Sequence, residues 1–214
     1  MLAYANSRDV LKFRSSVPGW RRSPPLPPQS TCFFAAGCEI YSQGEKAGSI
    51  YQVVFGAVRV YRLMRDGRRQ ISSFCLAGET FGFEEDSTHR FFAEAINATG
   101  LRKISLAESE DLSSELLPLA LHSLIRTQDH LLVLGRQAAA ERVAAFLVDM
   151  AQRQGRPHQI DLPMPRMDIG DYLGLAIETV SRVFSTFRET GIIRLHGLRG
   201  VEIVKWDALL NLSE

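Results

Sequence analysis

The chain has 214 residues, of which 45% are hydrophobic and 23% charged, with a net charge of +1 at pH 7. This length can bury one large core or two modest ones, and it favours two domains. No apolar run reaches the roughly 18 residues of a membrane span, so we expect a cytoplasmic protein without a membrane partner. Charge gives no sign of nucleic acid, because residues 138–214 hold nine Lys or Arg against ten Asp or Glu.

Cysteine usage argues against a secreted scaffold. Cys32, Cys38 and Cys75 cannot all pair, and no N-terminal apolar segment resembles a secretory signal. A reducing compartment therefore fits better than a disulfide-stapled fold.

Residues 1–31 are basic and contain the run SPPLPPQS, without a sustained apolar period. This composition predicts a flexible N-terminal extension. An organellar transit peptide is the alternative, but the four prolines of the run would interrupt its amphipathic helix. The basic residues are Arg8, Lys12, Arg14, Arg21 and Arg22.

Residues 32–110 have the pattern of a small antiparallel barrel or sandwich. The β-rich runs IYQVV, AVRVYRL, QISSFCL and AEAINAT are separated by glycines. The clearest hairpin turns at Asp66-Gly67, where glycine supplies a positive φ, and Val58 and Val60 alternate with polar neighbours before it.

Residues 111–137 predict a helix well over twenty residues long, because leucines recur at spacings of three and four. Such a helix extends beyond a small barrel, so we expect a parallel homodimer contact along this leucine seam. The alternative is a helix packed only on its own barrel. The seam consists of Leu117, Leu121, Leu124, Leu131 and Leu134.

Residues 138–214 begin with a second helix, AAAERVAAFLVDMAQRQG, that ends at Gly155, and HQIDLPM then reads as a short extended link. The stretch from residue 166 to 195 follows, with Ile169 and Leu173 on one helical face before Gly174. Apolar residues resume after that glycine with a shifted phase, which is typical of a helix-turn-helix. They are Leu175, Ile177, Val180, Val183 and Phe184.

Three polar residues are expected to point outwards from the second helix if Ile177, Val180 and Phe184 face inwards. They are Glu178, Ser181 and Arg182, in the first turns that enter a DNA major groove in such motifs. Arg can donate two hydrogen bonds to guanine, Glu can accept from cytosine, and Ser can do either. The alternative is an ordinary helical hairpin in which Glu178 and Arg182 form a solvated i,i+4 pair.

The run GIIRLHGLRGVEIV, which follows, reads as two short strands around a turn from Gly197 to Gly200. These strands are the wing of a winged helix, with Arg194, His196 and Arg199 within reach of phosphates. A helix-turn-helix followed by a wing favours DNA binding over the plain hairpin.

The sequence from about residue 33 to 210 resembles the CRP/FNR superfamily of bacterial regulators, and most closely its FixK-like branch. The glycines of IYSQGEKAGSIYQVVFGAVRVYRLMRDGRRQISSFCLAGETFGF resemble its sensor domain, and DYLGLAIETVSR resembles its DNA-binding domain. The resemblance implies an α+β fold: an antiparallel β-roll of the cyclic-nucleotide-binding type, a long dimerisation helix and a C-terminal winged helix-turn-helix.

In such proteins the Glu, Ser and Arg of ETVSR read the half-site, which carries these roles onto Glu178, Ser181 and Arg182. The implied target is the palindrome TTGAT and ATCAA separated by four bases, and the implied partners are double-stranded DNA and RNA polymerase, with activation as the outcome. We assign DNA backbone contacts to Thr179, Arg166 and Arg199.

The sequence departs from the family at two positions. Ala176 stands where the family usually has Thr or Ser at the start of the recognition helix, so a cap of about 1 kcal/mol and a phosphate contact are lost. Gly170 stands where the family usually has Ala, which costs a similar amount in a helix.

No cofactor is expected in the sensor-like domain. A [4Fe-4S] cluster needs four cysteine ligands and the chain has three. A zinc site of Cys32, Cys38 and His89 lacks the usual close ligand spacing. A haem would need one axial His, but a lone His is more often a polar surface residue than a haem ligand. The candidates for that ligand are His89, His122, His130, His158 and His196.

A cyclic nucleotide is disfavoured by the cassette FGFEEDSTHRFFAEA, in which three acidic residues would repel a phosphate. The acidic residues are Glu84, Glu85 and Asp86. Ser87, Thr88 and Arg90 could hold an anion, but Phe91 and Phe92 are expected to fill the interior.

Cys75 is the one candidate for a redox-sensitive residue, against the simpler reading of a small buried core residue. Two alternatives to an effector-free regulator remain. One is the same architecture controlled by a cyclic nucleotide or haem. The other is a cupin-type metalloenzyme, for which the barrel offers only His89. We do not expect this protein to be an enzyme.

Overall fold

The N-terminal part of the chain is an antiparallel β-roll. The computed structural model describes residues 31–105 and 112–213. The strands are β1 Thr31–Phe34, β2 Glu39–Tyr41, β3 Ser49–Phe55, β4 Ala57–Leu63, β5 Arg69–Leu76, β6 Thr80–Phe81, β7 Phe92–Ala95 and β8 Thr99–Ser105. They form two four-stranded sheets with the strand orders β1-β8-β3-β6 and β2-β7-β4-β5. The predicted antiparallel barrel or sandwich is confirmed.

The start of the roll differs from the prediction by one residue. Thr31, predicted to end the flexible extension, pairs with Arg102 in the β1–β8 ladder. The rest of the predicted extension, residues 1–30, lies outside the described residues.

The predicted hairpin is the pair β4–β5, which turns at Gly67 with a φ of +82°. Its backbone closes through Met64, whose N–H donates to the carbonyl of Arg68 at 2.8 Å. Val58 and Val60 are buried while Arg59 is half-buried on the opposite face. The alternation read from the sequence is therefore confirmed, and it places Arg59 on the face turned away from the interior of the roll.

Helix α1 spans Leu112–Leu134, which confirms a helix of more than twenty residues. One of its faces packs on the roll, where Leu119 is buried with Ile50 and Ile104. A different face leaves large apolar side chains exposed. The helix thus packs on its own roll, as the alternative predicted, and still carries a second apolar face.

The C-terminal region is a winged helix-turn-helix with additional elements. The elements are α2 Ala139–Gln154, β9 Gln159–Asp161, α3 Arg166–Leu173, α4 Ile177–Glu189, β10 Ile193–His196, β11 Gly200–Ile203 and α5 Trp206–Leu212. Gly155 ends α2 in the left-handed conformation, as predicted. Strand β9, predicted as part of a link, is instead a third strand of the wing sheet because it pairs with β11.

One apolar core joins the roll to the helix-turn-helix. Ile71 and Phe74 of β5 belong to the same buried cluster as residues of α2, α3 and α4. The ring of Phe74 lies 5.0 Å from Tyr172 and 6.3 Å from Phe146, measured between ring centroids. The two regions therefore share a core.

In the described ranges no helix is long and apolar enough to cross a membrane.

His130 of α1 closes this shared core from one side. Its ring stacks on Tyr172 of α3 at a centroid distance of 3.8 Å, and the residue is 8% exposed. Burial lowers the pKa of His130 from 6.5 to about 4, against the opposing influence of Asp149. The folded chain therefore keeps this imidazole neutral.

Because His130 takes up its proton more readily in the unfolded chain, it should reduce stability as the pH falls from about 6.5 towards 4. The expected contribution is on the order of 2–3 kcal/mol at pH 4.5. Denaturant unfolding between pH 7 and 4.5 should show a steep fall for the wild type and a shallower one for His130→Phe, which keeps the stack. His122→Phe, an exposed position of the same helix, is the control. Equal pH dependence in wild type and His130→Phe would contradict this account.

Candidate nucleic-acid interface

The turn between α3 and α4 depends on two glycines. Gly174 ends α3 with a φ of +64°, as predicted from its position between the two helices. The N–H of Leu175 donates to the carbonyl of Gly170 at 3.0 Å. A Cβ at Gly170 would lie 2.6 Å from the carbonyl oxygen of Leu175. Gly170 thus permits a close approach of turn and helix, which offsets the helix-propensity cost expected from the sequence.

Most of the predicted inward residues are buried. Val180 and Phe184 lie in the core with Ile169 and Leu173 of α3. The prediction for Ile177 is wrong, because this side chain is 37% exposed. Ile177 is the first residue of α4, and the N-terminal end of this helix extends beyond the core that contains Val180 and Phe184.

Glu178, Ser181 and Arg182 are exposed on α4 and form what we call the reading face. In the described part of the chain, none of their side chains has a hydrogen bond or ion pair with another residue. In particular, Glu178 and Arg182 do not form the i,i+4 ion pair that the helical-hairpin alternative predicts. The three groups are therefore available to an external partner.

The N-terminus of α4 lacks a side-chain cap. Ala176 occupies the N-cap position with φ −66° and ψ 146°, and no side-chain hydrogen bond caps the helix. The loss predicted from the sequence is therefore present. The extended backbone at Ala176 is the conformation in which a hydroxyl could accept from the N–H groups of the first turn.

Two of the proposed backbone-contact residues flank the helix-turn-helix core. The Arg166 guanidinium lies over the ring of Phe184, with Cζ 3.2 Å from the centroid. Burial lowers the pKa of Arg166 to about 10, so the group remains cationic near neutral pH. Thr179 is half-buried in the first turn of α4. Their contact with DNA stays a prediction.

The wing carries two arginines and a histidine, and one of these arginines shares a carboxylate with the histidine. Arg194 and His196 lie on the exposed face of β10, and each has a nitrogen 2.8 Å from Oε2 of Glu202. The hydrogen bond from His196 lowers the pKa of Glu202, and Arg194 adds to this effect. Arg199 in the turn is exposed, and no ion pair of its side chain is found in residues 31–105 and 112–213.

A partly open cavity of about 290 Å³ lies between strands of the sensor-like roll, α1 and Tyr172 of α3. Phe91 lines this cavity and packs against the roll core, as predicted. Phe92 does not, because it stacks on Tyr61 at 5.3 Å on the other face of the sheet. Phe91 immediately precedes β7 and points to the opposite face from Phe92, the first residue of that strand.

The acidic cassette is held by internal contacts. Glu84 Oε1 accepts from the N–H of Arg90 at 3.1 Å and lies 3.3 Å from Nδ1 of His89. The buried ring of His89 stacks on Tyr41 at 3.6 Å. Across residues 31–105 and 112–213, no group of three or more His, Cys, Asp or Glu is placed to hold a metal ion. The zinc site weighed for Cys32, Cys38 and His89 is therefore not assembled.

Cys75 is buried on β5, which agrees with the reading of a core residue. Burial raises the pKa of its thiol to about 11, so little thiolate is present near neutral pH. Oxidation needs thiolate and access. Cys75 is therefore poorly suited to a redox role.

Four leucines of the predicted seam are exposed, between 48% and 62%: Leu117, Leu121, Leu124 and Leu131. Leu134 differs, because it is half-buried and its Cδ2 lies 3.9 Å from the place of a Cβ at Gly174. Leu134 thus packs against the turn of its own helix-turn-helix. Contact of the other four with a second chain stays a prediction.

Comparison with known proteins identifies the two regions. The model of the cyclic nucleotide-binding domain matches residues 31–113, and that of the Crp-like helix-turn-helix domain matches residues 141–212. The nitrogen fixation regulation protein FixK of Rhizobium meliloti (strain 1021) is 52% identical, covering 86% of this chain and 88% of that protein. The chain belongs to the FixK-like branch of the CRP/FNR family. The FixK of Azorhizobium caulinodans is 41% identical, covering 84% of this chain and 77% of that protein.

The same family accounts for the fold. The structure of FixK2 from Bradyrhizobium japonicum matches with a TM-score of 0.82 and 40% identity, covering 87% of this chain and 98% of that chain. This FixK-like chain is thus a DNA-binding transcription regulator, as predicted. Homologues of this kind are generally not enzymes.

Restoring the cap of this FixK-like chain should stabilise it. Ala176→Ser supplies an acceptor for the first-turn N–H groups and should raise the free energy of unfolding by about 1 kcal/mol. The measurement is urea unfolding at pH 7, with Ala176→Val, which adds volume without an acceptor, as the control. An equal effect of Ser and Val would show that capping is not what this position lacks.

Proposed function

We propose that this FixK-like regulator binds, as a homodimer, the palindrome TTGAT and ATCAA separated by four base pairs. It does so in the cytoplasm without a bound effector, and it activates transcription through RNA polymerase. The reading face supports this function most strongly, because its three side chains are exposed and unpaired in the described part of the chain.

Base reading is supported by the chemistry of the reading face. Arg182 can donate two hydrogen bonds to O6 and N7 of a guanine, and Glu178 can accept from N4 of a cytosine. Both bases occur in the proposed half-site, on opposite strands of its single G·C pair. Since neither side chain has an internal partner to give up, each can bind without first breaking a contact.

Backbone contact is assigned to Thr179, Arg166 and Arg199. Arg199 is exposed in the wing turn and has no ion pair within the described residues, whereas Arg194 shares the carboxylate of Glu202 with His196. The near-balanced charge of residues 138–214 makes each such contact important, because it leaves little general attraction to DNA.

Substitution of the two arginines should separate base reading from phosphate binding. Arg182→Ala should weaken binding to the palindrome by about 1–3 kcal/mol per half-site and relax selection at the G·C pair. Arg199→Ala should weaken specific and random DNA alike and lower the slope of log K against log salt by about 0.9 per lost contact. Both are measured by fluorescence anisotropy over a salt series.

Arg188→Ala, an exposed arginine in the last turn of α4, is the matched control for charge. Equal losses on specific and random DNA for Arg182→Ala would remove this residue from the base-reading role.

Dimerisation is supported by the four exposed leucines of α1. They recur at spacings of four, three and seven residues, which keeps them on one side of the helix. A second copy of α1 would bury them, and exposed apolar rows of this length are uncommon in monomers. A two-fold axis along α1 would also relate two reading faces, as a palindrome requires.

Charge placed in the seam should separate the protomers. Leu124→Glu with Leu131→Glu should give monomers that lose the palindrome, measured by sedimentation velocity and anisotropy. Leu63→Glu with Met64→Glu is the control, since these residues of the β4–β5 hairpin are 50% and 49% exposed but lie off the seam. A seam variant that stays dimeric would refute the proposed interface.

Effector independence is supported by the contents of the roll. Phe91 and internally bound Glu84 occupy the region where the resemblance would place a cyclic nucleotide. Arg126, which lines the cavity, is paired with Glu79 at 2.9 Å. The remaining cavity of about 290 Å³ is the observation that favours the alternative, an effector-controlled regulator of the same architecture.

A further inference from the structure

A buried ionic network connects the roll to the helix-turn-helix. Asp168, in the first turn of α3, has a side chain that is only 2% exposed. Its carboxylate lies between two guanidinium groups of the β4–β5 hairpin. Nη1 of Arg59 is 2.7 Å from Oδ2, and Nη2 of Arg69 contacts Oδ1.

A second set of contacts holds the next turn of α3. Arg69 donates from Nε to Oδ2 of Asp171 at 2.9 Å, and Gln70 donates from Nε2 to the carbonyl of Asp171 at 2.7 Å. Arg59 also pairs with Glu94 on the neighbouring strand β7, which holds its guanidinium on the sheet. We call Arg59, Arg69, Asp168 and Asp171 the hairpin network.

The hairpin network restricts the orientation of α3 on the roll more than it stabilises the contact between them. The stability of that contact comes from the apolar core beneath the network, to which Ile71 and Phe74 of β5 contribute. The ions would all be hydrated if the two regions separated, so their net contribution to docking is limited. Guanidinium–carboxylate contacts are directional, and here two arginines fix two carboxylates one turn apart. Rotation or sliding of α3 on the hairpin would leave the buried carboxylate of Asp168 unpaired.

Any movement of α3 on the hairpin should also move helix α4. The turn between them is closely packed at Gly170 and Leu175, and Val180 and Phe184 lie in the same core as Ile169. The reading face therefore takes its orientation from the position of α3 on the hairpin. In a dimer, two such faces must meet successive major grooves about 34 Å apart, so a small change in each α3 would spoil the pair.

We propose that Arg59 and Arg69 are positioning residues for DNA recognition: through Asp168 and Asp171, the β-roll holds the two reading faces of a dimer at the palindrome spacing. This inference rests on the proposed function, since it presupposes a dimer on two half-sites. It assigns to the roll a role in binding that needs no ligand.

The test is the double variant Arg59→Gln with Arg69→Gln, compared with Arg62→Gln, an exposed arginine on the same strand. Binding is measured on the full palindrome, on a single half-site and on random DNA, with dimerisation and unfolding followed in parallel. The double variant should remain folded and dimeric, and its palindrome-to-half-site affinity ratio should fall at least tenfold. Half-site affinity should change little, because one reading face can adjust alone.

A second readout reports orientation directly. Spin labels at Glu189→Cys, an exposed position on α4, with Cys32 and Cys38 replaced by Ser, give one distance between the protomers. Pulsed EPR should find a narrow distribution for the otherwise unaltered network and a broad or displaced one for the double variant. If the double variant does not fold, Asp171→Asn removes only the outer pair and should show the same changes at smaller size.

An unchanged affinity ratio and an unchanged distance distribution, with only a lower melting temperature, would overturn the proposal and leave the network a purely stabilising one. A wild-type protein that does not prefer the palindrome to the half-site would instead refute the proposed function. The two failures are therefore distinguishable.

Discussion

The packing of α3 on the β4–β5 hairpin joins the roll, α1 and the helix-turn-helix in one core. Phe74 enters from the roll, Phe146 from α2 and Tyr172 from α3, so none of the three regions completes its core alone. Large side chains of this kind contribute about 1.5–3 kcal/mol each when fully buried. His130 of α1 stacks on Tyr172, which brings the long helix into the same contact. The DNA-binding region is therefore seated on the roll.

Charge is distributed in two different ways around this core. Buried ions such as Asp168 and Arg153 are paired, as the cost of isolating a charge in a protein interior requires. The reading face on α4 is unpaired within the described residues. Its three side chains would therefore lose no internal contact on binding base edges, as we propose they do. With a net charge of only +1, we infer that affinity depends on a few well-placed arginines and on two-fold symmetry.

The features that could be predicted from the sequence are those that depend on neighbouring residues. Asp66-Gly67 fixed the hairpin turn, the leucine spacing fixed the length of α1, and Gly174 with its shifted apolar phase located the turn of the helix-turn-helix. Errors arose at the ends of elements. The apolar pattern predicts Ile177 in the core although it starts α4, and it predicts Phe92 inside the roll although strand alternation directs it outwards.

The hairpin network was not predicted because its partners are distant in the chain. Arg59 and Asp168 are separated by 109 residues, and neither stands in a motif that indicates a partner. The strand Gln159–Asp161 was missed for the same reason, since three residues become a strand only by pairing with β11. Packing of Leu134 against Gly174 likewise depends on the fold, whereas its spacing alone placed it in the seam.

A dimer of the ligand-free chain should hold two reading faces at the spacing of an FNR-type palindrome, as proposed above. Selection of bound sequences from random DNA, with purified protein and no added small molecule, measures this spacing without a target chosen in advance. Inverted TTGAT half-sites separated by four base pairs should be enriched. Enrichment of a single half-site, of a different spacing, or only after a cyclic nucleotide or haem is added would refute the proposal.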